Sequence, residues 1–357
     1  MLRDVSSRTE RLKAFALELG FVAAGTAPAA APPHYHEFLA WLEAGYHGEM
    51  AYLSRHAAAR QHPRHVLDGA RSVLMAALPY GLDLPPVLPT DAATARYAQG
   101  EDYHRRARRL LRALVAETKR LFPGANARGV VDTAPLLERE FAQLAGLGWI
   151  GKNTMLIRRN LGSWFLLAAL ITDAELVYDA PFSADHCGCC NACLEACPTG
   201  ALIQPRVLDA RRCISYWTIE FPGTIPEDMR SAIGDWFFGC DVCQEVCPWN
   251  RKAGDPRAET PREADQTESV GLIELFRLPE ERFQDLFRPT SLWRAKRRGL
   301  LRNAAIVLGN RRDASAVPEL TAATQDSDEA VRSAAQWALA QIRGTAGAVT
   351  PPEHPAH

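Results

Sequence analysis

Residues 187–198 read Cys-Gly-Cys-Cys-Asn-Ala-Cys-Leu-Glu-Ala-Cys-Pro, and residues 240–248 read Cys-Asp-Val-Cys-Gln-Glu-Val-Cys-Pro. Through Cys187, Cys190, Cys193, Cys197 and Pro198 the first stretch is C-x2-C-x2-C-x3-C-P. That is the bacterial spacing for a [4Fe–4S] cubane. Three cysteines two residues apart wrap one face of a cubane, and the fourth is carried away by the turn to ligate another cluster. The second stretch offers Cys240, Cys243 and Cys247 before Pro248 but lacks a first member, because Phe237 stands three residues before Cys240. Cys213 is the spare thiol placed to fill the gap. The crossed assignment follows: cluster one takes Cys187, Cys190, Cys193 and Cys247, and cluster two takes Cys197, Cys213, Cys240 and Cys243. Cys189 is left over as a packed thiol. Two zinc sites are the competing reading. Zinc prefers two C-x2-C pairs, and this run is poor geometry for one tetrahedron.

All nine cysteines fall inside this region of a 357-residue chain. The opening Met1-Leu2-Arg3-Asp4 has no apolar signal core. A cytoplasmic protein is expected, and clustered cysteines in a reducing compartment point to metal rather than disulfides. The length predicts two or three structural units. At 47% apolar and 23% charged residues the chain is an ordinary globular one, which excludes wholesale disorder. A formal net charge of −1 gives no whole-molecule hint of a polyanion partner. The longest apolar run, Trp164 to Ile171, is far short of the roughly 20 residues of a membrane span.

Upstream of the cysteines, strand and helix patterns alternate. Residues 6–19 read as an amphipathic helix ending at Gly20, and 21–24 as a strand. Residues 35–59 read as helix broken near Gly45 and Gly48, and 72–78 as a buried strand closed by Pro79. Residues 81–90 are Pro-rich and irregular, and 104–121 form a long basic helix. Short strands are expected at 129–131, 154–157 and 164–171, with a helix opened by Pro135 that carries Leu137, Phe141 and Leu144. The alternation predicts an α/β domain over 1–180. Residues 181–252, loop-rich and short of apolar periodicity, need a staple other than a large core. Residues 253–268 read as a linker.

The C-terminal part repeats. Arg302-Asn303-Ala304-Ala305 returns thirty positions later as Arg332-Ser333-Ala334-Ala335, and Asp326 with Glu329 has a capping-box pattern. Residues 270–345 are read as an all-α helical-repeat module of HEAT type, and 346–357 as a flexible tail. Two segments are strongly basic. Residues 104–120 hold Arg105, Arg106, Arg108, Arg109, Arg112, Lys119 and Arg120 against Glu117. Residues 288–312 hold Arg288, Arg294, Lys296, Arg297, Arg298, Arg302, Arg311 and Arg312 and no acid. Charge runs are commonly solvated faces, but arginine-rich faces also grip phosphate. The second run, with Trp293 inside it, is the better RNA candidate, through Arg294, Lys296, Arg297 and Arg298.

The sequence resembles the epoxyqueuosine reductase family. The matching segments are Cys187–Ala201, Arg211–Tyr216 and Gly239–Asn250. To them are added Arg96-Tyr97-Ala98, Asp102-Tyr103-His104, Val131-Asp132-Thr133-Ala134-Pro135 and Gly148-Trp149-Ile150-Gly151-Lys152-Asn153-Thr154. The resemblance runs from about residue 10 into the helical repeats. It implies reduction of the epoxide of epoxyqueuosine, at the wobble position of tRNA, to queuosine. It also implies cobalamin beside the two clusters, a relation to reductive dehalogenases, and tRNA with a G-U-N anticodon as partner. The expected architecture is then an α/β cobalamin-binding domain, a ferredoxin-like double-cluster domain and the HEAT-like module. No Asp-x-His-x-x-Gly motif offers an axial histidine to cobalt. An external one-electron donor and a monomeric state are expected.

Within that resemblance Asp132 is the candidate proton donor, with a pKa raised by burial. Read without it, Asp132 is a helix cap before Pro135. Arg55, Tyr97, Asp132, Lys152, Asn153, Ser215, Cys240 and Asp241 are the candidate cobalamin contacts, because amide and phosphate groups want such partners. Two other readings compete: a cobalamin-dependent reductase of small molecules, and a ferredoxin-type electron-transfer module with no substrate of its own.

Overall fold

The computed structural model describes residues 2–80, 91–253 and 270–344. The Pro-rich 81–90 segment, most of the expected linker and the expected tail lie outside the described residues. The chain divides into two compact units whose segments interleave. One comprises Met1–Pro85, Gly100–Cys213 and Asp241–Asp265; the other comprises Pro86–Gln99, Ile214–Cys240 and Gln266–His357.

The first unit is built on a four-stranded sheet. Its helices and strands are α1 (Leu2–Glu18), β1 (Ala23–Pro28), α2 (Tyr35–Glu43), α3 (Ala51–Arg55), β2 (Ser72–Pro79), α4 (Tyr103–Leu121), β4 (Ala127–Val130), α5 (Glu138–Leu144) and β7 (Phe165–Thr172). The hairpin β5 (Trp149–Ile150) with β6 (Leu156–Ile157), the pair β8 (Leu202–Gln204) and β9 (Val207–Leu208), and the short helices α6 (Ala192–Glu195), α8 (Val242–Glu245) and α9 (Pro248–Ala253) complete it. Strand order is β1-β2-β7-β4 and every pairing is antiparallel. Strand–helix alternation alone cannot tell a crossover from a return, so it gives the α/β content and not the direction of pairing. Apart from Ser72 and Thr172, β2 and β7 are apolar because both faces of the sheet are covered. Val73, Met75 and Ala77 face Phe141 of α5, while Leu74, Ala76 and Leu78 face Leu12 of α1 with Leu111 and Leu114 of α4. Gly129 is required for the second contact, since a Cβ there would lie 2.6 Å from Leu111 Cβ.

The second unit contains β3 (Ala93–Thr94), a π-helical segment Tyr216–Glu220, α7 (Glu227–Ile233), β10 (Trp236–Phe238), α10 (Glu280–Phe287), α11 (Lys296–Arg311), α12 (Val317–Ala323) and α13 (Glu329–Arg343). The repeated Arg-x-Ala-Ala motifs lie on α11 and α13, which pack face to face. Their small residues permit this: a Cβ on Gly309 would meet Trp337 Cζ3 at 2.7 Å and Ala338 Cα at 2.8 Å. The expected capping box differs. Asp328 caps α13 by accepting the Ala330 N–H at 2.9 Å, Asp326 accepts the Asp328 N–H, and Glu329 turns to Arg332.

Three arginines of the second basic run are engaged by partners within the protein, and one of them is buried. Arg302 is 1% exposed. Its guanidinium donates to the carbonyls of Trp217 (2.6 Å), Phe221 (2.7 Å) and Gly223 (2.8 Å) and to Asn303 Oδ1. Arg311 pairs with Asp235. Arg297, half-buried, lies 3.3 Å from Glu280 and 3.5 Å from Asp326.

Candidate active site and metal centre

Asp132 follows β4 and meets the start of α4. His104 Nε2 lies 2.7 Å from Asp132 Oδ1, and His104 Nδ1 lies 2.7 Å from Asp102 Oδ1. The Tyr103 hydroxyl donates to Asp132 Oδ2, and its ring stacks on His104 at 4.1 Å. Asp102 is the N-cap of α4, accepting the His104 N–H at 3.0 Å. The cap therefore sits at residue 102, not at 132: α5 begins at Glu138 with no side-chain cap. With a carboxylate at each nitrogen the imidazole needs both protons. Burial lowers the His104 pKa, but Asp102 and Asp132 outweigh it and raise it to about 9.

The expected raised pKa of Asp132 is not what the surroundings give. Burial pushes it up, but the bonds from His104 and Tyr103 hold it below the usual carboxylate range. At neutral pH the proton resides on His104, and the Asp132 side chain is 43% exposed. The raised carboxyl is Glu138, pushed up to about 8 by burial and by the charge of Asp132. Its Oε1 is buried with no hydrogen-bond partner among the described residues. Sequence reading quoted Tyr103 and His104 only as part of a motif and missed Glu138. The available signal was an Asp-Tyr-His triplet opening a helix, where the cap and an acid–base group coincide.

A pH profile follows from this network. Turnover is expected to fall as pH rises through about 9, where His104 loses its proton, and His104→Gln should abolish that limb. The stability that the imidazolium contributes is complete below its unperturbed 6.5 and is lost as pH rises through about 9. A pH–rate profile and a thermal-unfolding series against pH check the two halves.

The cysteines build a second site. Cys187, Cys190, Cys193 and Cys247 line a cavity of about 250 Å³ together with Lys152, Asn153 and Trp249. Four thiolates on one zinc at 2.3 Å would sit about 3.8 Å apart and close such a space. Among the described residues no three His, Cys, Asp or Glu side chains converge as they would on one ion. A cubane fits the four-thiol cavity. A second observation points the same way: the Trp149 indole, 2% exposed, packs with Cys247 and Cys187, and its Nε1 has no partner among the described residues. Burial and the neighbouring Cys187, Cys247 and Cys190 push the Cys193 thiol up to about 11. A bound cationic iron core reverses that crowding.

The Gly148–Thr154 segment braces both cysteine runs. Lys152 Nζ donates to Gly188 O at 2.8 Å and Asn191 Oδ1 at 2.9 Å, and Asn153 Nδ2 donates to Cys243 O at 3.2 Å. These two expected cobalamin contacts are thus committed to the cysteine loops. The helices α6 and α8, carrying Cys193 and Cys243, pack together. Cys197 accepts the Ala201 N–H at 3.2 Å. Cys213 and Cys243 belong to the same unit as Cys197, and Cys240 ends a segment of the other. Cys189, expected to be packed, is exposed.

The remaining candidates are dispersed. Arg55 is exposed at the end of α3. Tyr97 packs against Phe238, and Ser215 precedes the π-helical segment. Asp241 is buried, and its carbonyl accepts the N–H groups of Gln244 and Glu245. Of the four expected RNA contacts, Arg294 lies 2.9 Å from Glu220 yet stays half-exposed, and Lys296 lies over the Trp293 ring. Arg298 is exposed, whereas Arg297 is half-buried between Glu280 and Asp326.

Comparisons with known proteins place the chain in a family. Residues 186–250 match a family model for a 4Fe-4S double cluster binding domain, 60–133 one for epoxyqueuosine reductase QueG, and 294–351 one for HEAT repeats. The chain therefore carries a double-cluster domain and HEAT repeats. The epoxyqueuosine reductase of Pseudomonas aeruginosa is 40% identical over 342 residues, covering 94% of this chain and 95% of that protein. An epoxyqueuosine reductase solved with an epoxyqueuosine-modified tRNA-Tyr stem loop superposes with TM-score 0.81 at 32% identity, over 93% of this chain and 89% of that one. A Bacillus subtilis epoxyqueuosine reductase, solved with the catalytic loop of an aspartate swung out of the active site, superposes equally well, at TM-score 0.81 and 32% identity, over 93% of this chain and 90% of that one. At 40% identity to the Pseudomonas aeruginosa enzyme across nearly the whole of both chains, the protein belongs to the epoxyqueuosine reductase family.

Proposed function

We propose that this chain reduces the epoxide of epoxyqueuosine in tRNA to the alkene of queuosine. The observation that carries the reading is the Asp102–His104–Asp132 chain, a stored proton beside an exposed carboxylate, in the same unit as the four-thiol cavity. The reaction takes up two electrons and two protons and releases water. The opening alkoxide is a strong base, so a placed acid contributes about 10²–10⁴ in rate. In this reading Asp132 delivers the proton and His104 resupplies it. Tyr103 fixes the carboxylate, and Glu138 holds a second proton close by.

Cys187, Cys190, Cys193 and Cys247 hold one cubane, and Cys197, Cys213, Cys240 and Cys243 hold the other. When bound, cobalamin supplies low-valent cobalt as the immediate reductant. Arg55, Tyr97, Lys152, Asn153 and Ser215 carry donors that suit its amide and phosphate groups, and Lys152 and Asn153 also brace the cysteine loops. The cluster region is 181–252, the upstream domain 1–180 and the repeat module 270–345. The protein works as a cytoplasmic monomer fed by an external one-electron donor. Among the described residues no helix is long and apolar enough to cross a membrane.

The test is anaerobic reconstitution with iron, sulfide and cobalamin, followed by nucleoside analysis of epoxyqueuosine-bearing tRNA. About eight irons per chain and conversion to queuosine are expected. Zinc in the cysteine region, or intact epoxide after reduction, would overturn the proposal. Arg294, Lys296 and Arg298 are the RNA contacts on α11 and the turn before it. Neutralising them is expected to weaken stem-loop binding about tenfold at moderate salt and to flatten its salt dependence. Titration by fluorescence anisotropy at several salt concentrations reads both.

A further inference from the structure

The basic run on α4 has no role in the reaction as derived so far. Its buried side is Ala107, Leu111, Leu114 and Thr118. On the opposite side Arg105, Arg108, Arg109 and Arg112 line a concavity of about 290 Å³ with Glu101 as the only other lining residue among the described residues. Their spacing is i, i+3, i+4 and i+7, one face of a helix. Arg105 is 62% exposed and lies 3.9 Å from Glu101, a loose surface pair. The far end of the helix differs: there Arg120 forms a two-pronged pair with Glu117. Four like charges along one helix face repel each other, and a polyanion removes that cost. Among the described residues the lining holds no aromatic or apolar side chain to receive a base, so the recognised group is the phosphate.

Two kinds of polyanion fit arginine, an RNA backbone and an acidic protein. The position of the stripe decides between them. Arg105 directly follows His104, whose imidazole is bonded to Asp132. One rigid helix therefore joins the proton chain to the arginines. At 1.5 Å per residue Arg105 to Arg112 spans about 10.5 Å, room for about two backbone phosphates. A strand that presents one nucleotide to Asp132 has its flanking phosphates within reach of such a face.

Resting on the reading above, we propose that this face of α4 is a phosphate-binding site for the tRNA strand on either side of the nucleotide being reduced, separate from the α11 surface. It fixes the register of the strand against Asp132 and reads no base.

The test replaces the four arginines together by Gln, a good helix former, and separately by Lys. Iron content and thermal midpoint confirm that each variant is folded. The probe is a synthetic anticodon stem-loop RNA titrated at several salt concentrations. The Gln variant is expected to bind at least tenfold more weakly at low salt, with the slope of log K against log salt reduced by about 2, and to raise KM more than it lowers kcat. The Lys variant should retain most of the slope. Wild-type affinity and slope in the Gln variant would overturn the proposal. So would intact RNA binding with slowed reduction by an acidic electron-carrier protein, which would make the face a protein dock. If the wild-type protein itself shows no salt-dependent RNA binding, the functional reading fails rather than this site alone.

Discussion

Asp132→Asn is expected to lower turnover by about 10²–10⁴-fold while leaving iron content and stem-loop affinity at wild-type values. The carboxylate receives two donors, the Tyr103 hydroxyl and His104 Nε2. An amide can accept on one atom only and cannot carry a proton to the alkoxide. Asn would keep the volume of the site while removing both the group that passes the His104 proton to the alkoxide and one of the two anions that keep His104 protonated. The alkaline limb of the rate profile should therefore also move toward lower pH in the residual activity. Single-turnover conversion of epoxyqueuosine-bearing tRNA, followed by nucleoside mass analysis, measures the effect. Wild-type turnover in this variant would remove Asp132 from the mechanism.

Arg302→Ala should be the most damaging single change outside the cysteines, at roughly 3–5 kcal/mol of stability, the order expected when three buried carbonyls lose their donor. The guanidinium holds the carbonyls of Trp217, Phe221 and Gly223, and its neighbour Asn303 holds those of Thr218 and Phe237 at 2.8 and 2.9 Å. Truncation strands three carbonyls, each costing about 1–3 kcal/mol when buried without a donor. Burial pulls the Arg302 pKa down to about 9, so the group still carries its charge at neutral pH. Arg302→Lys keeps a charge but cannot span three acceptors with a planar fork, and it should lie between the two. Urea midpoints of the three proteins rank them, and equal midpoints would show the guanidinium to be dispensable.

The contrast between Arg302 and Arg298 shows what could and could not be read in advance. Both belong to one basic run, and nothing local separates them. Only α13 and the π-helical segment decide that 302 is interior and 298 is not. The cysteines were legible because cubane ligation fixes spacing along the chain, and the cavity lined by Cys187, Cys190, Cys193 and Cys247 brings together residues sixty positions apart. The strands of the sheet were legible as apolar runs, with β1 starting two residues and ending four residues later than expected and β4 starting two and ending one residue earlier. Their antiparallel pairing was not, because direction is a long-range property. The sign of the Asp132 shift was missed for the same reason: burial is suggested by sequence, whereas the imidazolium that outweighs it comes from a helix twenty-eight residues away. Asp328 took the capping role expected of Asp326 because a two-residue offset leaves the composition of that turn almost unchanged.

The interleaving of the two units bears on how the molecule can be dissected. A fragment cut at the acidic stretch before residue 270 would contain α10 to α13 but not the Trp217, Phe221 and Gly223 carbonyls that Arg302 grips, nor Ser333's partner Arg230. Such a piece would expose the apolar flank of α11 and a guanidinium evolved for a dry environment. Swapping repeats between relatives to alter RNA preference would have to carry residues 214–240 along as a second, non-contiguous insert.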